Sequence, residues 1–306
     1  MPKLWVPPSR FALRRTSRLV AGGAAALLLS ISLIAQGNER IAYVSAWHAK
    51  TRVPITGLGP EAFAVREDGV RREVLRVTPA TTPMAIAILV DNTQAATDHI
   101  SDIRKALTAF VQDLNGVGPI AIIGLADRPT ILRDYTTDHK QLLDGISKVF
   151  AMPGSGATLL DAIVETSQGL ARRKEDRVAM IVLTTENKEF SNRHYTDVLE
   201  ELGKGGAMLS AVVLTTPSGT SLDEEARNRG FVLDRGPRES GGTRIDVLAS
   251  QAFESKMKEL AAILKSQHRV VYSRPQQLIP PKKLEIASAK DGVEARGGQA
   301  RGQAIR

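Results

Sequence analysis

The chain contains no cysteine, and aromatic side chains make up only 4% of its 306 residues. The absence of cysteine excludes disulfides, thiolate metal sites and cysteine nucleophiles. So few aromatic residues argue against the platforms on which single-stranded nucleic acids stack. Apolar residues account for 42% of the chain. This proportion is typical of a globular protein and excludes disorder along most of its length.

Motifs of the common nucleotide-binding and hydrolytic enzymes are also absent from the sequence. No Gly-x-Gly-x-x-Gly follows the first buried strand, and neither a phosphate-binding Gly-x-x-x-x-Gly-Lys-Ser/Thr loop nor a Gly-x-Ser-x-Gly nucleophile elbow occurs. The five histidines are scattered without metal-ligand spacing. We therefore expect a protein that is not an enzyme. A hydrolase would need carboxylates from distant loops to converge, with Asp91, Asp127 and Glu186 as the candidates.

The formal charge of +8 is concentrated at the two ends of the chain. The body between them is nearly balanced and has no basic stripe, so we expect no nucleic-acid partner. At the N-terminus, basic residues without any acid precede an apolar run from Leu19 to Ala35. That order is the mark of a secretory signal, and Ala35 and Gly37 offer a cleavage site. An uncleaved anchor and a buried helix are the alternatives.

Positive charge before the apolar run stays in the cytoplasm, so the rest of the chain is expected to be exported. The protein would then be periplasmic, secreted or anchored by its N-terminus. Contact with a membrane is expected only through that N-terminal segment.

The body of the chain alternates between continuous apolar runs and segments with helical spacing. Continuous apolar runs are typical of the buried strands of a parallel sheet. The runs are Met84–Val90, Ile120–Ala126, Arg177–Leu183 and Ala207–Leu214. Together they predict an α/β fold, a doubly wound and mostly parallel sheet flanked by helices. Ligands of such sheets bind beyond the carboxyl ends of the strands, where Asp91 and the loop after Leu183 should lie.

We divide the chain into four parts on these patterns. They are a signal peptide or N-terminal anchor (1–37), a small β module (38–80), the α/β domain (81–274) and a C-terminal extension (275–306). In the extension, "KKLEIAS" could form a strand, and the glycine- and arginine-rich end from Glu294 is expected to be disordered. Within the α/β domain, the polar segment Thr215–Gly242 predicts a long surface loop that could include a helical turn, and "RVVYS" predicts an edge strand.

Four stretches, in this order, resemble the von Willebrand factor type A (VWFA) superfamily. They are "AIAILVDNTQA", "GSGATLLDAI", "RKEDRVAMIVLTTEN" and "GGTRIDV", and their order and spacing agree from Met84 to Ser273. The flanking "LGPEAFAVREDGV" and "HRVVYSRP" resemble an exported bacterial subgroup of that superfamily. The resemblance implies a domain that binds another protein through the loops at the carboxyl ends of its strands.

The same resemblance implies a metal-ion-dependent adhesion site in those loops, holding Mg²⁺ or Mn²⁺. Asp91 matches its first carboxylate and Thr93 its first hydroxyl, while Thr158 and Glu186 are each displaced by one residue from a ligand position. The sequence departs from the pattern at three places where ligands are expected, namely Ala95, Ala157 and Thr185.

These departures leave two hypotheses open. In the first, a weakened metal site at Asp91 and Thr93 assists the binding of a protein partner. In the second, the site has decayed and the domain is a metal-independent interaction scaffold. Asp91 would then accept backbone hydrogen bonds at the end of its strand, and Thr158 would cap the helix that it opens.

Overall fold

A computed structural model of the chain describes residues 39–186, 188–215, 223–275 and 281–301. The segment expected to be a signal peptide or anchor lies outside the described residues. Among the helices that are described, none has both the length and the apolar character needed to cross a membrane. The described residues from Arg40 onward belong to one compact unit.

The elements of this unit are numbered in chain order. The strands are β1 (Glu39–His48), β2 (Phe63–Glu67), β3 (Val70–Arg72), β4 (Val74–Pro79), β5 (Met84–Val90), β6 (Ile120–Gly124), β7 (Thr130–Thr136), β8 (Arg177–Thr185), β9 (Met208–Leu214), β10 (Arg244–Val247), β11 (His268–Ser273), β12 (Leu284–Ser288) and β13 (Val293–Gln299). The α-helices are α1 (Ile100–Asp113), α2 (His139–Ser147), α3 (Leu159–Ala171), α4 (Tyr195–Gly205), α5 (Glu224–Ser240) and α6 (Phe253–Lys265).

The central sheet has six strands in the order β10-β9-β8-β5-β6-β7. All neighbours are parallel except β7, which pairs antiparallel with β6 at one edge. Alternate side chains of β5 enter two different cores: Ile86 and Ile88 pack with α1, α2 and α6, whereas Ala87 and Leu89 pack with α3, α4 and α5. Helices thus cover both faces of a mostly parallel sheet, which confirms the expected α/β class.

Two smaller sheets form a second core beside the first. One has the order β13-β1-β11-β4 and the other the order β12-β2-β3. Their inner faces enclose apolar residues that include Val44, Phe63 and Tyr272. Strands from before and after the central sheet therefore share these two sheets. The small β module and the C-terminal extension, expected to be separate, fold together in the described residues.

Three segments differ from what the sequence predicts. The segment expected to be a surface loop contains the 17-residue helix α5, which begins after Asp223, whose side chain accepts a hydrogen bond from the backbone N–H of Ala226. The end of the chain expected to be disordered contains β13, which pairs with β1 from Ala42 to His48. The strand β11, expected at an edge, lies inside its sheet between β1 and β4.

We call the end of the central sheet where the parallel strands begin the base. Arg177 lies there and joins the central sheet to the neighbouring segments that pack against it. Its guanidinium donates to the carbonyl oxygens of Ala80, Thr82 and Leu264. Burial lowers the pKa of Arg177 to about 10, so the side chain remains charged at neutral pH. At the opposite end of the sheet, where the parallel strands end, the surface is formed by the loops that follow the strands.

Candidate functional site

The loops beyond the carboxyl ends of the parallel strands form a continuous surface, which we call the rim. It comprises residues 91–99 after β5, 125–129 after β6, 151–158 before α3, and 186 and 188–194 after β8. Backbone bridges join Ala157 to Ala126 on one side and to Glu189 on the other. The loop before α3 is therefore fixed between the loops that follow β6 and β8.

Asp91 lies at the centre of the rim and is fully buried. Its Oδ1 accepts hydrogen bonds from the backbone N–H of Thr93 at 3.0 Å and from the Thr93 hydroxyl at 2.7 Å. Its Oδ2 accepts from the backbone N–H of Thr185 at 2.9 Å, from the Thr185 hydroxyl at 2.7 Å and from the Thr184 hydroxyl at 3.2 Å. Both oxygens of this buried carboxylate thus face hydrogen-bond donors.

The other residues named by the sequence are placed differently. Thr158 precedes α3, but its hydroxyl donates to the backbone carbonyl of Leu125 at 3.0 Å instead of capping the helix. Glu186 follows β8, is half-buried, and donates its backbone N–H to the carbonyl oxygen of Leu214. The structure therefore brings Asp91 and Thr93 together, while the Thr158 hydroxyl is engaged by the backbone.

Two charged residues that no sequence pattern marked lie beside this cluster. Arg229, on α5, is only 6% exposed, and its Nη2 donates to the Thr184 hydroxyl at 2.9 Å and to the carbonyl oxygen of Thr185 at 2.7 Å. Glu189, in the loop after β8, is 3% exposed, and its Oε2 lies 3.7 Å from Arg229 Nε. Arg229 was not identified from the sequence, because the sequence predicts a polar surface loop over residues 215–242, and such a loop is not expected to have a buried face.

Burial opposes the charge on both partners of this pair. It lowers the pKa of Arg229, and the negative charges of Glu189, Asp91 and Glu186 oppose that lowering. It raises the pKa of Glu189, and a hydrogen bond from Ser191 and the charge of Arg229 oppose that rise. Each residue therefore offsets part of the cost that burial imposes on the charge of the other.

The VWFA resemblance implies a divalent ion at this cluster. Mg²⁺ requires about six oxygen ligands in near-octahedral geometry. Here the hydroxyls of Thr93 and Thr185 donate hydrogen bonds to the Asp91 carboxylate. Their protons therefore point at the carboxylate oxygens that would have to bind the ion. Within the described ranges, no group of three or more His, Cys, Asp or Glu side chains could hold a metal ion. With a guanidinium beside it, this donor set does not fit a divalent ion.

Asn92 fixes the loops around Asp91. Its buried Oδ1 accepts from the backbone N–H groups of Leu125 at 2.8 Å and Ala126 at 2.9 Å, so it joins the end of β5 to the end of β6. Its backbone carbonyl accepts from the N–H of Met152. These bonds tie three rim loops to one residue, and no motif in the sequence marked it.

Large apolar side chains are exposed at or beside the rim. Phe190 is 48% exposed, and its ring covers Gly156, where a Cβ atom would lie 2.5 Å from the ring. Met152 and Phe150 are 45% and 61% exposed. The guanidinium of Arg104 lies over the Phe150 ring at 4.1 Å, and the Lys188 ammonium lies 5.5 Å from the Phe190 ring. The rim thus presents apolar surface with cations at its margins.

The carboxylates that a hydrolase would need have different surroundings. Asp91 is buried among threonine donors, as described above. Asp127 is exposed, and its Oδ1 accepts from the backbone N–H of Gly156 at 3.3 Å. The hydrogen bonds described for these two carboxylates thus hold loops in place.

No protein-family model matches the sequence, and no curated protein matches it significantly. Several solved structures are similar to the chain in fold. The protein BatB from Bacteroides thetaiotaomicron is 14% identical, with a TM-score of 0.46 over 60% of this chain and 100% of that one. A von Willebrand factor type A protein from Catenulispora acidiphila is 8% identical, with a TM-score of 0.46 over 86% and 73% of the two chains.

A third similar structure is the vWF domain of the type V pili tip protein Mfa5 from Porphyromonas gingivalis. It is 9% identical, with a TM-score of 0.47 over 60% of this chain and 96% of that one. Solved structures similar to the chain therefore include von Willebrand factor type A domains, the family that the motifs of its sequence resemble.

Proposed function

We propose that the chain is an exported interaction module that binds a protein partner through the rim, without a divalent ion. The observation that carries this proposal is the exposure of Met152 and Phe190 on the fixed loops of the rim, with the exposed Phe150 directly before the rim segment 151–158. Exposed apolar side chains grouped on one surface are characteristic of protein-binding sites. The loops need little ordering on binding, because Asn92 and the bridges at Ala157 already fix them.

Two further features extend the proposal. Export is supported by the basic residues that precede the apolar run Leu19–Ala35. A role other than catalysis is supported by the burial of Asp91, whose carboxylate oxygens accept hydrogen bonds from Thr93 and Thr185. A reacting carboxylate would have to be accessible to a substrate.

A metal-assisted version of the same function is the competing proposal. It is favoured by the contact of Asp91 with Thr93 at the end of β5 and by the position of Glu186 after β8. Mg²⁺ or Mn²⁺ at Asp91 would require the threonine hydroxyls to turn their protons away from the carboxylate. A chelator should abolish partner binding in the metal-assisted version and leave it unchanged in the metal-independent version.

Site-specific crosslinking tests both versions. Because the chain has no cysteine, Phe190→Cys provides one position for a benzophenone-maleimide label. Val70→Cys on β3 is the matched control, since Val70 is also half-exposed (55%) and lies outside the rim. Both labelled proteins are irradiated in an envelope fraction of the source cells, with Mg²⁺ or with EDTA.

We expect a discrete adduct from Phe190→Cys and none from Val70→Cys. Excess unlabelled protein should compete for its formation, and EDTA should leave its yield unchanged. Equal labelling from both positions, or an adduct that resists competition, would show that the rim is not a specific binding surface. An adduct lost both with EDTA and in an Asp91→Ala background would instead establish the metal-assisted version.

A further inference from the structure

We propose that Arg229 is the built-in cation of the rim. Its guanidinium supplies, near Asp91, the positive charge that a bound ion would otherwise supply. The proposal deepens the metal independence proposed above. It concerns this chain's own side chains and requires no partner for its test.

Arg229 is a buried cation, so its surroundings must compensate its positive charge. The residue lies on the inner side of α5, and its side chain is only 7% exposed. An arginine remains protonated in a protein, so its burial requires negative groups or hydrogen-bond acceptors around it. Two such acceptors are the hydroxyl of Thr184 and the backbone carbonyl of Thr185, both at the carboxyl end of β8.

Thr184 connects the guanidinium to Asp91. Its hydroxyl accepts from Arg229 Nη2 at 2.9 Å and lies 3.2 Å from Asp91 Oδ2, to which it can donate. A hydroxyl can accept and donate at the same time, so Thr184 can link the guanidinium to the carboxylate. Its one proton has a second acceptor in the carbonyl oxygen of Thr185, also at 3.2 Å. Arg229 and Asp91 are therefore connected through one intervening group.

Glu189 completes the arrangement on the other side. Its side chain is fully buried, and its Oε2 has no hydrogen-bond partner among the residues that the structure describes. The Nε of Arg229 is likewise buried without such a partner, and 3.7 Å separates these two atoms. The guanidinium thus lies near Glu189, which the loop after β8 supplies, and the Thr184 hydroxyl connects it to Asp91, which follows β5.

Removing the guanidinium should take away a positive charge that lies near two buried carboxylates. A buried ion whose partner has been removed strongly destabilises a folded protein. With that positive charge removed, the carboxylates should bind an external cation more tightly than in wild type. A cation that binds only the folded state should then raise the stability of the variant. A purely structural role for Arg229 predicts the destabilisation without the gain in affinity.

The test compares wild type, Arg229→Lys and Arg229→Met by urea unfolding, with and without millimolar Mn²⁺. Arg177→Met is the matched control, since Arg177 is a similarly buried arginine (4% exposed) at the base. We expect Arg229→Met to lower the folded-to-unfolded ratio about a hundredfold. Mn²⁺ should raise its unfolding midpoint, and adding Asp91→Asn should abolish that rise. Arg229→Lys should be less destabilised and insensitive to Mn²⁺.

Arg177→Met should be destabilised without any response to Mn²⁺. The proposal is overturned if Arg229→Met shows no Mn²⁺-dependent rise, or if the rise persists without Asp91. Should Arg229→Met fail to fold, the double variant Arg229→Met/Glu189→Gln removes both charges of the pair and is measured in the same way. Wild type provides an independent check, because Mn²⁺ binding at Asp91 in the presence of Arg229 would refute the proposal. None of these results depends on the crosslinking experiment, so the two proposals can fail separately.

Discussion

Asp91 and Thr185 are joined by two hydrogen bonds across neighbouring parallel strands. Oδ2 of Asp91 accepts the backbone N–H of Thr185 at 2.9 Å and its hydroxyl at 2.7 Å. The threonine stands where the VWFA pattern has an aspartate, so a hydrogen-bond donor replaces a second negative charge. This replacement gives the buried Asp91 carboxylate two hydrogen-bond donors from one residue.

Replacing Thr185 by valine should measure the contribution of its hydroxyl. Thr185→Val keeps the shape of the side chain and the backbone N–H but removes one donor to a buried carboxylate. We expect the free energy of unfolding to fall by about 2 kcal/mol, as for other hydrogen bonds to charged groups. Urea denaturation measures this change. Thr130→Val, at an exposed threonine, should alter stability by less than about 0.5 kcal/mol. Equal effects at the two positions would contradict the role given to Thr185.

Asn92→Ala should loosen the rim. The substitution leaves the buried N–H of Ala126 without its acceptor, whereas the N–H of Leu125 keeps a bond to the carbonyl oxygen of Val90. We expect a loss of about 2 kcal/mol in the free energy of unfolding, together with faster amide exchange in residues 125–129. Gln94→Ala, which removes an exposed acceptor for the N–H of Gly154, is the control. Unchanged exchange in Asn92→Ala would show that the loops are held by other contacts.

His268 should make stability depend on pH. It is 3% exposed, its ring centroid lies 5.4 Å from that of Phe63, and burial lowers its pKa. The unfolded chain therefore binds a proton at about pH 6.5, before the folded chain does. The contribution of His268 to stability is complete above that pH and is lost as the pH falls below it, by at most about 1.4 kcal/mol per pH unit.

Unfolding of wild type and His268→Leu between pH 8 and pH 5 tests this expectation. The stability of wild type should fall more steeply than that of the variant below about pH 6.5. His48→Gln, at an exposed histidine, should follow the wild-type curve. Parallel curves for wild type and His268→Leu would mean that the buried ring is protonated as readily as in the unfolded chain.

Two glycines near α5 should respond to alanine in opposite directions. A Cβ atom at Gly242 would lie 1.9 Å from the backbone oxygen of Leu209, so Gly242→Ala must displace β9. At Gly230, within α5, no atom lies within 4 Å of the added carbon. We expect Gly242→Ala to cost about 3 kcal/mol or more, and Gly230→Ala to add about 0.5–1 kcal/mol through helix propensity. Thermal unfolding distinguishes the two variants. A loss of stability in Gly230→Ala would mean that this face of the helix packs against other atoms.

The central sheet could be predicted from the sequence because its strands are buried on both faces. A continuous apolar run as short as Met84–Val90, ending at a charged residue, is typical of a strand covered by helices on each side. Asp91 followed directly, since a residue that ends a parallel strand lies at the carboxyl edge. Its position thus needed only a local pattern, whereas Thr93 was indicated by the VWFA resemblance.

Helix α5 could not be predicted in the same way. It contains Pro237 and several arginines, and its buried face includes the polar residues Asn228 and Arg229. Periodicity of apolar residues is therefore weak, although Asp223 and the acids that follow it form a helix-start signal. Arg229 became visible as a rim residue only once the helix had been packed against β8 and β9.

The strand β13 was missed because its glycines have a packing role. A Cβ atom at Gly297 would lie 2.4 Å from the backbone oxygen of Tyr43, so close pairing with β1 requires glycine there. The partner strand lies near the opposite end of the chain, and no local pattern identifies such a pairing. Glycine-rich composition alone therefore favoured disorder.

Both ends of the described chain lie at the base. The N–H of Ala300 donates to the carbonyl oxygen of Ile41, and the N–H of Arg301 donates to that of Asp176, just before β8. The rim is one strand length away, roughly 20 Å for a strand such as β5. A protein immobilised or fused through either end would therefore keep its rim turned toward solution. Attachment chemistry that would block many domains leaves the proposed binding surface of this one accessible to large molecules.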